Sequence, residues 1–146
     1  MIQRVQTIFL ALAAASGFGV LALPFAYTGA SVQSSKLFTD MAFTTGDNIG
    51  LLVLFAVAGA LALTDIFLFR NRDVQMKIGR MALVANILGV VLAVILFWQD
   101  LSGLGNSEVE DGLGIYLPLA YIVFIILALR GIKKDEALVR SADRLR

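Results

Sequence analysis

The sequence predicts an all-α fold: an integral membrane four-helix bundle with both termini cytoplasmic and a C-terminal amphipathic cytoplasmic helix. Three observations carry that expectation. Of the 146 residues, 59% are hydrophobic and 16% charged, where a soluble domain has roughly 25% charged. The apolar residues gather into four runs of near-membrane length, and the basic residues fall almost entirely on one side of those runs. A globule of this size hides only about two-thirds of the surface its unfolded chain exposes, so in water this composition would leave large greasy patches. One transmembrane domain over residues 1–146 is the expected organisation.

The spans follow in chain order. A hydrocarbon core of about 30 Å needs about 20 helical residues. The first apolar run covers 5–27, and the second covers 48–69, interrupted only by Asp65. The third, 81–98, has Asn86 as its one polar residue between 83 and 97. The fourth, about 115–130, begins near Tyr116 and has Pro118 in its first turn, where a missing N–H does no harm. Helices of a soluble bundle would carry a polar stripe at helical period, and these do not. The first run is too long for the apolar core of a secretion signal, so it is read as a retained span.

Orientation follows from the basic residues. Arg4, then Arg70, Arg72, Lys77 and Arg80 between spans two and three, then Arg130, Lys133, Lys134, Arg140, Arg144 and Arg146 put eleven of the twelve on one side. Lys36 alone lies on the other. The positive-inside rule therefore assigns both termini and the second loop to the cytoplasm. Tyr27, Trp98, Tyr116 and Tyr121 fall at the expected outer ends, where half-buried rings with hydrated tips are favoured.

Outside the membrane, loop one (28–47) is expected to form a partly ordered lid anchored by Leu37, Phe38, Met41 and Phe43. Loop three (99–114), with Glu108, Glu110 and Asp111, lacks calcium-ligand spacing and reads as a solvated acidic loop. The tail, 131–146, places Leu138, Ala142 and Leu145 at i, i+4, i+7 and pairs Glu136 with Arg140 four residues on. Lys133, Lys134, Arg140, Arg144 and Arg146 would meet anionic headgroups at the cytoplasmic face, worth about 1 kcal/mol per charge near the surface. The tail thus serves as a lipid anchor or as a docking handle for a partner.

Few residues can carry chemistry. Cysteine and histidine are absent, which excludes disulfides, thiol redox chemistry, histidine-ligated haem and the usual zinc sites; no cofactor or metal is expected. Asp65 is the only ionisable residue inside a span, and such a residue is a functional candidate by default. Counting inward from Arg70 and Arg80 puts Asp65 and Asn86 at similar depth, close enough to hydrogen-bond as a polar lock or an ion site. Small residues suggest helix seams: Ala11, Ala15 and Gly19 in span one, Ala56 and Ala60 in span two, Ala85, Gly89 and Ala93 in span three. Span four, bulky at Leu117, Ile122, Phe124, Ile125, Ile126 and Leu127, is expected to face lipid or a partner.

The opening MIQRVQT, the NRDVQ of 71–75 and the closing KKDEALVRSADRLR of 133–146 resemble an uncharacterised family of small four-span inner-membrane proteins of Bacteroidota-type bacteria, known only as a domain of unknown function. The resemblance implies a bacterial inner-membrane location and assigns no activity. No acid pair, nucleophile with base or metal cluster suggests an enzyme. The expected function is that of a non-catalytic accessory or structural subunit of a larger bacterial inner-membrane complex. Its expected partners are membrane lipids and other membrane subunits or further copies of itself, and no nucleic acid. The alternative is a small ion or solute channel or transporter using Asp65 and Asn86.

Overall fold

The structure, a computed structural model, describes the backbone of residues 2–105 and 107–143, and the side chains of all of these except 2–4, 140, 142 and 143. Four helices dominate: α1 (Ile2–Ala22), α2 (Ile49–Phe67), α3 (Arg72–Leu104) and α4 (Leu117–Asp143). Each contains a segment long and apolar enough to cross a membrane. α1 packs between α4 and α2, α3 packs on α2, and the α3–α4 seam is the slightest of the four. Alternating chain direction gathers the start of α1, the α2–α3 turn and the end of α4 at one end, called here the terminal end.

Small residues bring the helices together. Ala13, Ala58, Ala62, Ala82 and Ala128 are all fully buried at the centre. A Cβ on Gly17 would lie 3.0 Å from the Gly59 Cα and 3.1 Å from Tyr121 Cε2, so α1 and α2 cross almost backbone to backbone. Where lipid removes the hydrophobic drive, such close approach supplies the dispersion contact that holds helices together. The seams are rotated from the expected ones: Ala11, Ala15 and Ala60 are exposed, whereas Ala13, Ala14, Gly17, Ala58 and Gly59 are buried. In α3 the buried residues include Ala82, Asn86 and the expected Gly89, while Ala85 and Ala93 are half-buried. Each span holds two overlapping series of small residues, and spacing alone does not choose between them. In α4, Ile125 turns inward with Tyr121, Ala128 and Ile132, while Val123 and Leu127 face out.

The fold is mostly helical but not all-α. At the end opposite the termini, β1 (Ala26–Thr28), β2 (Ala42–Phe43) and β3 (Val109–Asp111) form an antiparallel sheet in the order β2-β1-β3. Ala26 pairs with Phe43 on one side and with Asp111 on the other. The loops expected to be a lid and a solvated acidic segment are thus one folded cap. Gly112 and Gly114 permit it, because a Cβ on either would lie 2.2 and 2.5 Å from the Pro24 and Leu23 carbonyl oxygens respectively. Short 3-10 turns at Thr45–Asp47 and Leu113–Ile115 complete the connections.

Three boundaries differ from the sequence-based expectation. α1 stops at Ala22, ahead of Pro24, and Tyr27 belongs to β1. α3 begins at Arg72, capped by the Asn71 side chain accepting from the Val74 N–H. Loop two is therefore the four-residue turn 68–71, and Arg72, Lys77 and Arg80 sit on the helix. The tail is no separate helix: α4 runs on without a break through Asp143. Charged residues mark where a helix can leave lipid, not where it ends.

Candidate functional site

The buried stripe of α2 runs from Leu51 through Phe55, Ala58 and Ala62 to Asp65. That spacing keeps one face turned inward, and Asp65 is fully buried at its terminal end. Room for the carboxyl comes from α3. A Cβ on Gly79 would lie 3.0 Å from Asp65 Oδ2 and 2.7 Å from Leu129 Cδ2 of α4. The backbone carbonyl of Asp65 accepts from Gln75 Nε2 at 3.1 Å and from the Leu68 N–H at 3.2 Å. Neither carboxyl oxygen has a hydrogen-bond partner among the described residues, and Nη1 of Arg72 is likewise buried and unpartnered.

Asn86 is also fully buried, but it does not reach Asp65. Its Nδ2 donates to the Pro118 carbonyl at 3.1 Å, tying α3 to α4, and its Oδ1 is unpartnered. The depth estimate failed because it counted from Arg80, eight residues inside α3. Gly79, not Asn86, is level with Asp65, and Asn86 lies seven residues, about 10 Å, further along the helix. The two residues expected to form one polar pair occupy two levels of the bundle.

Tyr121, expected at an interface, is fully buried, and its hydroxyl donates to the Ala58 carbonyl at 2.7 Å. With Asn86 it fastens α4 to α2 and α3 at mid-bundle. Nothing in an aromatic at the start of a span distinguishes a belt residue from a core residue with a satisfied hydroxyl. The unpartnered Gly17 and Ala58 faces that receive it are the signal.

At the terminal end, Gln6 Nε2 donates to Asp135 Oδ2 at 2.6 Å, and both side chains are buried. Gly131 makes way for Gln6, whose Cγ would lie 2.8 Å from a Cβ there. The sequence reading treated 131–146 as tail, yet Ile132 and Asp135 are bundle residues. Lys133 and Lys134 are exposed. Leu138 and Val139, beyond the last buried position, are 51% and 49% exposed. Arg144, Leu145 and Arg146 lie outside the described residues, as do the side chains of Arg140 and Ala142.

At the other end, Asp100 joins the cap to α3. Its carboxylate accepts from Ser35 Oγ, from the Lys36 N–H at 3.0 Å and from the Leu37 N–H at 3.3 Å. Ser34 Oγ adds a bond to the Gly103 carbonyl at 2.6 Å. Around this clamp Phe25, Phe38, Phe43, Phe55 and Phe97 pack ring against ring, with centroids 5.1 to 6.3 Å apart. Of the expected anchors, Leu37, Phe38 and Phe43 are buried, whereas Met41 is exposed with φ 69°. Among the described residues no group of three or more acidic side chains could hold a metal ion.

Among the described residues, the Asp65 carboxyl is buried against Gly79 of α3 with neither oxygen hydrogen-bonded, and Arg72 Nη1 and Asn86 Oδ1 are the other buried polar side-chain atoms without a partner. Four helices of membrane-crossing length, closed at one end by a packed cap, define a small helical bundle compatible with a multi-pass membrane protein. The chain belongs to the family described as a domain of unknown function (DUF4293), whose model matches residues 2–145. No curated protein and no solved structure matches the chain.

Proposed function

We propose that the chain is a non-catalytic, multi-pass protein of the bacterial inner membrane, with both termini cytoplasmic, that serves as an accessory or structural subunit of a larger membrane complex. The observation that carries this reading is the continuity of α4. Its 27 residues span about 40 Å, more than the hydrocarbon core needs. Beyond Asp135, Leu138 and Val139 are half exposed, and the sequence around them supplies Lys133, Lys134, Arg140, Arg144 and Arg146. A rigid helix that leaves the membrane with apolar side chains flanked by bases fits a docking element seated over anionic lipid.

The test is removal of 136–146, which leaves the four spans and their flanking bases in place. The expected result is normal insertion with loss of the larger assembly seen by native electrophoresis and mass determination in mild detergent. Leu138→Ser with Val139→Ser should do the same at unchanged charge. An assembly of unchanged size after the deletion overturns the docking role. Reporter fusions at Arg146 and within 31–35 should land on opposite sides, the first in the cytoplasm.

One observation favours the channel or transporter reading: the two unpartnered oxygens of Asp65. Intramembrane carboxyls often mark a proton or ion path. Against it, Asn86 is committed to Pro118, so the two residues do not converge on one ligand. Cation or proton flux in proteoliposomes that disappears in Asp65→Asn would install this reading in place of the subunit one.

A further inference from the structure

A cavity of about 280 Å³ lies at the capped end of the α3–α4 seam. Phe55 of its wall is fully buried; Val90, Ala93 and Phe97 line the α3 side, and Pro118 and Leu119 the α4 side. Val94 and Leu119 also line it and are both more than half exposed, so the cavity opens sideways between the two helices. The only charged residue on its wall is Asp111 of β3. Its length along α3, from Val90 to Phe97, is seven residues or about 10 Å.

Two further features say what fits. Trp98 and Tyr116, 74% and 56% exposed, directly follow the lining residues Phe97 of α3 and Ile115 just ahead of α4. Aromatic side chains with polar tips favour the headgroup level, so the cavity beneath them is at acyl-chain depth and Asp111 is near the headgroups. The capped end is also acidic: Asp40, Asp47, Asp100, Glu108, Glu110 and Asp111 face a single base, Lys36. A lipid with a net negative headgroup is disfavoured there, while a primary ammonium can donate hydrogen bonds to the Asp111 carboxylate.

We propose that this cavity holds one acyl chain of a phosphatidylethanolamine molecule whose ammonium group is received by Asp111. The proposal rests on the membrane reading above but not on orientation or on the tail. The acyl chain fills an apolar void that would otherwise leave Phe55, Val90 and Phe97 without dispersion contacts on one side. The ion pair selects the headgroup. Because Asp111 is exposed, that selection is modest, of the order expected for a surface pair.

Native mass spectrometry of the full chain, released from micelles holding equal amounts of phosphatidylethanolamine, phosphatidylcholine and phosphatidylglycerol, tests it. The intact protein should retain phosphatidylethanolamine over phosphatidylglycerol by about threefold to fivefold, as about 1 kcal/mol implies. Asp111→Asn should still retain lipid but without that preference. Ala93→Phe, which fills the cavity, should retain about tenfold less of any lipid, and Val90→Phe offers the same test from a second position. Thermal unfolding identifies whichever filled variant keeps its fold. Equal retention of the three lipids by the intact protein, or undiminished retention by a folded cavity-filling variant, overturns the proposal. So does a lipid-free dimer that Ala93→Phe dissociates, since the occupant is then a second copy. None of these outcomes depends on the 136–146 deletion or the reporter fusions.

Discussion

Replacing Asp100 by alanine should release the cap from the bundle without unfolding the spans. Three donors from 35–37 converge on that carboxylate, and Ser35 and Leu37 are buried, so water cannot fully replace what is lost. A hydrogen bond to a charged group contributes about 1.5–3 kcal/mol, and a buried donor left unmade costs about 1–3 kcal/mol. These terms overlap, since one acceptor serves three donors, and the expected cost for Asp100→Ala is about 3–4 kcal/mol of local stability. Asp100→Asn keeps one acceptor oxygen and should cost about half as much. Phe38 remains as a second fastening: it is fully buried, and Phe38→Ala should cost about 3–5 kcal/mol. Hydrogen exchange measured by mass spectrometry in detergent reads local opening directly. A 3–4 kcal/mol loss accelerates exchange of 30–44 by about 150- to 900-fold where opening is the limiting equilibrium, while amides of 51–62 stay protected. Unchanged exchange of 30–44 in Asp100→Ala would refute the clamp and leave the phenylalanine packing, the β1–β2 pairing and the Ser34 bond as the restraints. Equal acceleration in α2 would refute the independence of cap and bundle.

Gly89→Ala should lower the thermal midpoint, because its Cβ would lie 2.9–3.1 Å from three atoms of the fully buried Phe55 ring; overpacking of this kind costs about 1–3 kcal/mol. Phe55→Leu combined with Gly89→Ala should cost less than the sum of the single changes, and strict additivity would remove the contact from consideration. Asp65→Asn should leave the midpoint unchanged and Asp65→Leu should leave it unchanged or higher, since replacing an unpartnered buried carboxyl by an apolar group of similar size is neutral or stabilising. A fall of several degrees in Asp65→Leu would show that the carboxyl holds a partner outside the described residues.

The four long apolar helices and the inward placement of Asp65 and Asn86 were legible because hydropathy and the cost of a polar group in lipid act residue by residue. The rotations of α2 and α3 were legible too, in the face that each buried polar residue shares with small residues. Asp65 must face inward, which selects Ala58 and Ala62 over Ala56 and Ala60; Asn86 likewise selects Ala82 and Gly89. Small-residue spacing lacked that phase information. The cap was not legible: β1 and β3 have three residues each and β2 has two, too short for alternation to register. Its pairing also joins residues 26 and 111, a separation at which local pattern says nothing. Gln6 and Asp135 were hidden for the opposite reason, because a charge beside Lys133 and Lys134 reads as solvated tail until α1 is known to lie against it.

The unusual features share a location. α3 and α4 have the slightest contact among neighbouring helices, and the features that depart from close packing lie along that seam at three levels. Near the terminal end, the Asp65 carboxyl and the Leu129 side chain both abut Gly79. At mid-depth Asn86 crosses to Pro118 with its second polar atom unused. At the capped end the cavity opens between Val94 and Leu119. The α1–α2 seam is closed by the Gly17–Gly59 backbone contact, which allows little adjustment because a backbone cannot change rotamer, and in the other two seams a glycine receives a side chain, Phe55 at Gly89 and Gln6 at Gly131. α1 is held to α2 at Gly17 and to α4 through Gln6 and Asp135, while the cap ties α1 to the start of α4 through β1, β3 and Gly112. α1, α2 and α4 therefore pack in series, and α3 is held by its packing on α2, by the four-residue turn before it, by Asn86 and by the Asp100 clamp. A lipid, a proton or a partner acting on this protein would meet the least extensive helix contact at the α3–α4 seam.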